Sequence, residues 1–233
     1  MIEIKALATG SKGNCYYVTD GHSPILLECG IRFRDVQKRL NFKTSNLVGC
    51  LVTHEHKDHC SGLNDVLKAG INCYMSPGTA TAIGVSHHRI KKVEVKKQFT
   101  LGTWTILPFD VQHDVSEPFG FLLQNQAGEK LLFITDTYYV KYKFPGVTHI
   151  MIECNYSRKI LIQNIVNGRV PKVMKKRLER SHFSLENVKD FLKANDLSKV
   201  QEIWLLHLSD NNSNEELFKK EIQELTGKLV FVP

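Results

Sequence analysis

The feature that most constrains this chain is His54-Glu55-His56-Lys57-Asp58-His59, which directly follows the apolar run Val48-Gly49-Cys50-Leu51-Val52. Three imidazoles and a carboxylate in one short segment are the donors that a first-row divalent metal takes, and Zn²⁺ suits them best. The apolar run reads as a short buried strand that delivers the cluster at its C-terminal end. Two histidines at a spacing of two can grip one ion, while the Asp-His pair that follows turns toward a second. The fold must therefore carry a buried strand end to a place where further ligands can reach it. The plain alternative is a solvated, histidine-rich loop.

A chain of 233 residues suits one domain over residues 1–233 or a two-layer unit built from two halves, and a hydrophobic share of 42% is enough for a core. No stretch approaches the roughly 18 apolar residues of a membrane span. The start Met1-Ile2-Glu3-Ile4 does not read as a signal peptide. Six cysteines are scattered without a CxxC pair, mostly inside apolar runs, where a thiol behaves as a small hydrophobe. Together these patterns predict a cytoplasmic protein with no membrane partner. The net charge of +7 fits a phosphate-bearing substrate and fits solubility as well. The densest basic run, Lys172 to Arg180, reads equally as a solvated helix face and as a phosphate-facing one.

Short strands dominate the first part: Ile2 to Ala8, Cys15 to Thr19 and Ile25 to Glu28. A helix is predicted from Arg32 to Leu40 and another from Leu63 to near Gly70. Strands follow at 72–75, 103–109, 119–124, 131–135 and 148–152, with a turn on Gln126-Ala127-Gly128-Glu129. Helices are predicted from Pro171 to about Leu178 and from Leu185 to Ala194, the second capped by Ser184. The chain closes with a strand at 202–206, a helix from Asn214 to Thr226 stopped by Gly227, and a strand at 229–232. Two sheets packed face to face with helices outside would bury this many short apolar strands.

Six ligands around two ions require more than the cluster supplies. Three positions share one signature, a polar ligand just past an apolar strand: His113, Asp136 and His207. Strand ends on one edge of a sandwich converge, so these side chains can meet the His54 loop. Each on its own also reads as a hydrogen-bonded rim residue.

With the HxHxDH motif at His54 to His59 and the later His113, Asp136 and His207 in this order, the chain resembles the metallo-β-lactamase fold hydrolases. The resemblance implies an α/β fold, an αββα sandwich of two β-sheets flanked by helices. It implies two divalent metal ions, Zn²⁺ or Mn²⁺. His54, His56 and His113 would hold one, Asp58, His59 and His207 the other, and Asp136 would bridge them. The opening Thr9-Gly10-Ser11-Lys12-Gly13-Asn14-Cys15 and the segment His207-Leu208-Ser209-Asp210-Asn211-Asn212 resemble the YycJ (WalJ) group. Ser181-His182-Phe183-Ser184 is similar to motifs of that group and of RNase Z. The family's strand before the first helix usually ends in Asp, whereas here it reads Leu27-Glu28-Cys29-Gly30.

These likenesses imply phosphodiester hydrolysis, with Asp58 accepting or orienting a water proton and His182 as the acid for the leaving alkoxide. His182 also reads as a helix-end histidine with no role. The favoured substrate is a cyclic mononucleotide, as for the phage anti-Pycsar phosphodiesterases of the same branch. A DNA or RNA end, as for YycJ-like exonucleases, is the alternative. Further rivals are a glyoxalase-type thioester hydrolase and a non-catalytic protein stapled by metals. Relatives often dimerise, so a homodimer belongs to the expectation. Tyr138, Tyr139 and Phe119 could stack on a base or simply pack. His22, His87, His88 and His149 read as surface or rim residues, with His87 or His88 able to line a substrate rim.

Overall fold

Alternating apolar and polar residues at the start of the chain build an antiparallel pair, β1 (Glu3–Ala8) with β2 (Cys15–Thr19). The runs that follow are apolar without alternation and become strands buried on both faces, as parallel sheets require. These are β3 (Ile25–Leu27), β4 (Gly49–Leu51) and β5 (Cys73–Met75), and the polar, largely exposed β6 (Ile90–Lys92) closes the edge of the sheet. Each parallel step is spanned by helical crossover structure: α1 (Phe33–Arg39), then α2 (Lys57–Cys60) with α3 (Leu63–Lys68), then α4 (Pro77–Ile83). Phe33 and Val36 of α1, Leu63, Val66 and Leu67 of α3 and Ala80 of α4 join Leu26, Cys50, Cys73 and Met75 in one buried cluster. An antiparallel meander follows, β7 (Phe99–Leu101), β8 (Trp104–Asp110) and β9 (Phe119–Gln124).

After the turn at residues 125–129 the chain returns to parallel strands, β10 (Lys130–Ile134), β11 (His149–Glu153), β12 (Glu202–Leu206) and β13 (Leu229–Phe231). Between β11 and β12 lie α5 (Arg158–Val166), α6 (Val173–Ser181) and α7 (Leu185–Ala194), and α8 (Glu215–Thr226) connects β12 to β13. Val188, Leu192, Phe218 and Ile222 bury the inner stripes of α7 and α8.

The structure is a computed structural model of residues 1–233, and it divides into two compact units. One comprises Met1–Asp110 with Val115–Glu129, the other Val111–Asp114 with Lys130–Pro233. There are two mixed sheets flanked by helices, one of six strands and one of seven. This is the α/β architecture with paired sheets expected from the sequence. Within the first unit, β8 reaches the turn that precedes β3: Trp104 Nε1 donates to the Ser23 carbonyl at 2.7 Å.

The predicted elements are present with shifted ends, and five were not anticipated: β6, β7, α2, α4 and α5. Helix α4 has a Ser76 cap, Pro77 in its first turn and Gly84 at its left-handed end, but Gly78 to Ala82 carry no apolar stripe to betray it. Helix α6 starts later than predicted and runs three residues past Leu178, to Ser181. That extra turn sets His182 at the helix end.

Candidate metal centre

Strand β4 ends at Leu51, and the chain passes through Val52 and Thr53 into the histidine cluster. His54 is buried, and its Nδ1 lies 2.9 Å from Thr53 Oγ1. Its Nε2 comes within 3.1 Å of His56 Nδ1. Two nitrogens held 2.0–2.1 Å from one tetrahedral ion are about 3.3 Å apart, so this pair has the spacing of co-ligands. Helix α2 then turns Asp58 and His59 together, with Asp58 Oδ2 3.4 Å from His59 Nε2. His59 Nδ1 faces Glu28 at 3.6 Å.

Glu28 occupies the place where the resembled family has Asp, and the longer side chain still braces the loop. Its carboxylate oxygens both lie 3.3 Å from the Thr53 amide, and burial raises its pKa against the opposing pull of His59 and Thr53. Its backbone is left-handed, φ 65°. Asn14 is a further brace. Its Nδ2 donates toward His59 Nε2 (3.2 Å) and the Asp58 carbonyl (3.3 Å), while its Oδ1 accepts from the Gly10 amide and the Tyr16 hydroxyl.

The second unit gathers its own set. His113 lies beyond β8, Asp136 beyond β10, His207 directly after β12, and Glu153 is the last residue of β11. Asp136, Glu153 and His207 stand past or at the C-terminal ends of parallel strands, where α/β sheets generally carry their sites, whereas His113 follows the antiparallel β8. His113 Nδ1 lies 2.8 Å from the Ser181 carbonyl, which can only accept, so Nδ1 carries the proton. Burial lowers the pKa of His113 against the pull of Asp136, so the ring is neutral near pH 7. Its Nε2 lone pair then faces Asp136 Oδ2 at 3.8 Å, two acceptors with the spacing a cation would bridge. Both donor sets therefore fit divalent metal.

Glu153 was not predicted from the sequence. It is fully buried, with Oε1 2.5 Å from His182 Nδ1 and 3.1 Å from His207 Nδ1. Its Oε2 accepts from the amides of Thr137 (3.1 Å) and Phe183 (3.0 Å). Burial disfavours its charge, but the His182 charge and the hydrogen bonds with His182 and His207 hold its pKa below the usual value. For His182 burial likewise opposes a charge, yet Glu153 and Asp136 more than offset it and raise the pKa. One ligand atom from each of Asp136, Glu153, His182 and His207 lies within 4.8 Å of the others. The signal for Glu153 was present: it ends the apolar run Ile150-Met151-Ile152, the same pattern that marked His113, Asp136 and His207. Asp136 (φ 36°) and His207 (φ 54°) also have left-handed backbones, a conformation that residues with a Cβ adopt at a cost and that clusters at functional sites.

Other residues singled out by sequence fall away from these groups. Phe119 is buried at 1% exposure and packs edge-on to Phe121, so it serves the core rather than a base. His149 is buried in β11, while His87 and His88 stack on each other outside any helix or strand. The basic run on α6 leaves Lys176, Arg177 and Arg180 exposed, and Arg180 shares a cleft with Gln112, His113 and Tyr138. Tyr138 also borders a second cavity of about 300 Å³, between residues 138–143 and helix α7. All six cysteines are free and all but Cys60 are buried.

Strands that end in imidazoles and braced carboxylates define a metal-dependent hydrolase. Residues 24–208 match the beta-lactamase superfamily domain, and the chain belongs to that superfamily. It is 27% identical to the exodeoxyribonuclease YycJ of Bacillus anthracis over 96% of this chain and 89% of that protein. It is 28% identical to the exodeoxyribonuclease WalJ of Streptococcus pneumoniae, over 91% and 83%. The metallo-β-lactamase fold protein YhfI of Bacillus subtilis has a similar structure, with a TM-score of 0.76 and 14% identity over 100% of this chain and 95% of that one. The fold implies divalent metals. No helix is long and apolar enough to cross a membrane.

Proposed function

We propose that this chain is a two-metal phosphodiesterase acting on nucleotide substrates. The observation that carries the reading is the pair of braced donor sets, His54, His56, Asp58 and His59 in one unit and His113, Asp136 and His207 in the other. His54, His56 and His113 would hold one cation, Asp58, His59 and His207 the second, with Asp136 between them. When bound, two such cations neutralise phosphoryl oxygens and lower the pKa of water to make a nucleophile near pH 7. Asp58 orients that water or accepts its proton. His182, held through Nδ1 by Glu153, offers Nε2 to protonate the leaving alkoxide. Zn²⁺ suits the imidazole-rich set, and Mn²⁺ suits the same ligand types.

For the substrate, similarity to two exodeoxyribonucleases and the exposed basic face of α6 support a DNA end. Hydrolysis of cyclic mononucleotides is the second reading, supported by a cavity scaled to a single nucleoside beside Tyr138. The test is incubation of Zn²⁺- or Mn²⁺-loaded protein with end-labelled DNA and RNA, cyclic mononucleotides and S-lactoylglutathione. Release of mononucleotides from the polymer supports the first reading, and ring opening alone the second. Turnover of the thioester alone, or of nothing, refutes both. A homodimer and a cytoplasmic location complete the proposal; gel filtration with light scattering tests the first.

A further inference from the structure

Beside the metal-facing groups of the second unit, the cavity between residues 138–143 and helix α7 is not accounted for by hydrolysis itself. Its floor is the buried pair Phe183 and Phe191, and its rim carries Tyr139, Tyr142 and Lys141. The walls are fixed by hydrogen bonds. Asn187 Nδ2 donates to the Tyr138 carbonyl at 3.2 Å, Thr137 Oγ1 to the Tyr139 carbonyl at 2.9 Å, and the Phe144 amide to Asn195 Oδ1 at 2.9 Å. A site formed before its ligand arrives does not spend binding energy on ordering these loops.

Chemistry narrows the occupant. The Tyr139 ring is 55% exposed, whereas Lys141 Nζ already lies 5.1 Å from the centre of the Tyr142 ring. A rigid aromatic left in water at the mouth of a cavity is a stacking platform for a flat ring. A volume of about 300 Å³ is at the small end for ligand pockets and suits one nucleoside. Tyr138 borders both this cavity and the cleft that holds His113 and Arg180, so one nucleotide could put its ring in the cavity and its phosphate in the cleft. We infer that this cavity is a nucleobase subsite, with Tyr139 as its stacking platform and Arg180 holding the adjoining phosphate. Stacking reads a π-face rather than a hydrogen-bonding edge, so the subsite accepts different bases. The choice of a base as occupant rests on the phosphodiesterase reading.

Calorimetric titration of the metal-loaded protein tests it by comparing deoxyadenosine 5′-monophosphate with deoxyribose 5-phosphate, which has the same sugar and phosphate but no base. The unaltered chain should bind the nucleotide roughly 5- to 150-fold more tightly, the range of one base–aromatic stack. Tyr139→Ala should remove most of that preference, and Tyr139→Phe should keep it. Equal affinities in the unaltered chain, or a preference that survives Tyr139→Ala, overturn the inference. Hydrolysis of bis(p-nitrophenyl) phosphate by the unaltered chain is measured alongside. A Tyr139-dependent preference without hydrolysis leaves the subsite standing and removes the phosphodiesterase reading; hydrolysis without the preference does the reverse.

Discussion

Glu153 satisfies two backbone amides with one oxygen and faces two imidazoles with the other. Replacing it with Gln keeps the shape but removes the charge that orients His182 and His207. Loss of such a partner typically lowers metal affinity or activity 10- to 100-fold. Glu153→Gln is therefore expected to lower kcat by that range while urea denaturation shows a folded chain; wild-type kcat with full metal content would contradict the assignment. Gly30 is constrained differently. A Cβ there would lie 1.7 Å from the Asp58 carbonyl oxygen and 2.7 Å from the Asn14 amide. Gly30→Ala must push the α2 loop away from Asn14, at a cost of about 1–3 kcal/mol for overpacking. The expected result is a lower denaturation midpoint together with fewer bound metals per chain, read by elemental analysis. An unchanged metal content would show that the contact does not govern the cluster.

Helix ends matter more than helix bodies for these positions. Ser184 Oγ accepts from the Asn187 amide at 3.1 Å and caps α7, as its place before an apolar stripe predicted. The same short link, residues 182–184, joins α6 to α7 and carries His182 and the Phe183 amide that donates to Glu153. Ser184→Ala should cost about 1 kcal/mol. It should also lower activity, because fraying of α7 loosens the hold on Glu153; thermal melts and kcat measured on the same preparation decide this. Most strands were legible because continuous apolar runs such as 150–152 and 203–206 have few other uses. Helix α5 was not, since only Leu161 and Asn164 of its nine residues are buried and Ile162 and Val166 face solvent.

At the scale of the whole chain, each unit has its own buried core and supplies part of the proposed ligand set. Metal that binds only the native chain adds about 2.7 kcal/mol at a concentration 100-fold above Kd. For a chain of 233 residues, that is roughly 5–10 °C in Tm. Chelation with EDTA should lower the melting temperature by this amount and re-addition of Zn²⁺ should restore it; an unchanged melt after verified metal loss would count against metal as a stabilising ligand of the native chain. The net charge of +7 makes a separate prediction for a polymeric substrate. The apparent affinity for DNA should fall steeply with added salt as counterions are released, whereas salt independence in a filter-binding assay would favour a small ligand.

Local sequence determined the chemistry. Histidines and carboxylates placed after apolar runs mark candidate donor positions because strand ends are where a buried backbone reaches a surface. Sequence also determined most of the strands and the caps of α7 and α8, whose signals lie within a few residues of each other. Only the tertiary structure decided how each donor is held. Glu28 lies opposite His59, Asn14 beside Asp58, and Glu153 between His182 and His207. These partners are separated by 29 to 54 positions along the chain, and no local periodicity encodes such distances. The cavity beside Tyr139 has the same origin. Its aromatic walls come from two segments that only folding brings together, so in the sequence Tyr138 and Tyr139 read as stacking or packing residues with nothing to choose between the two.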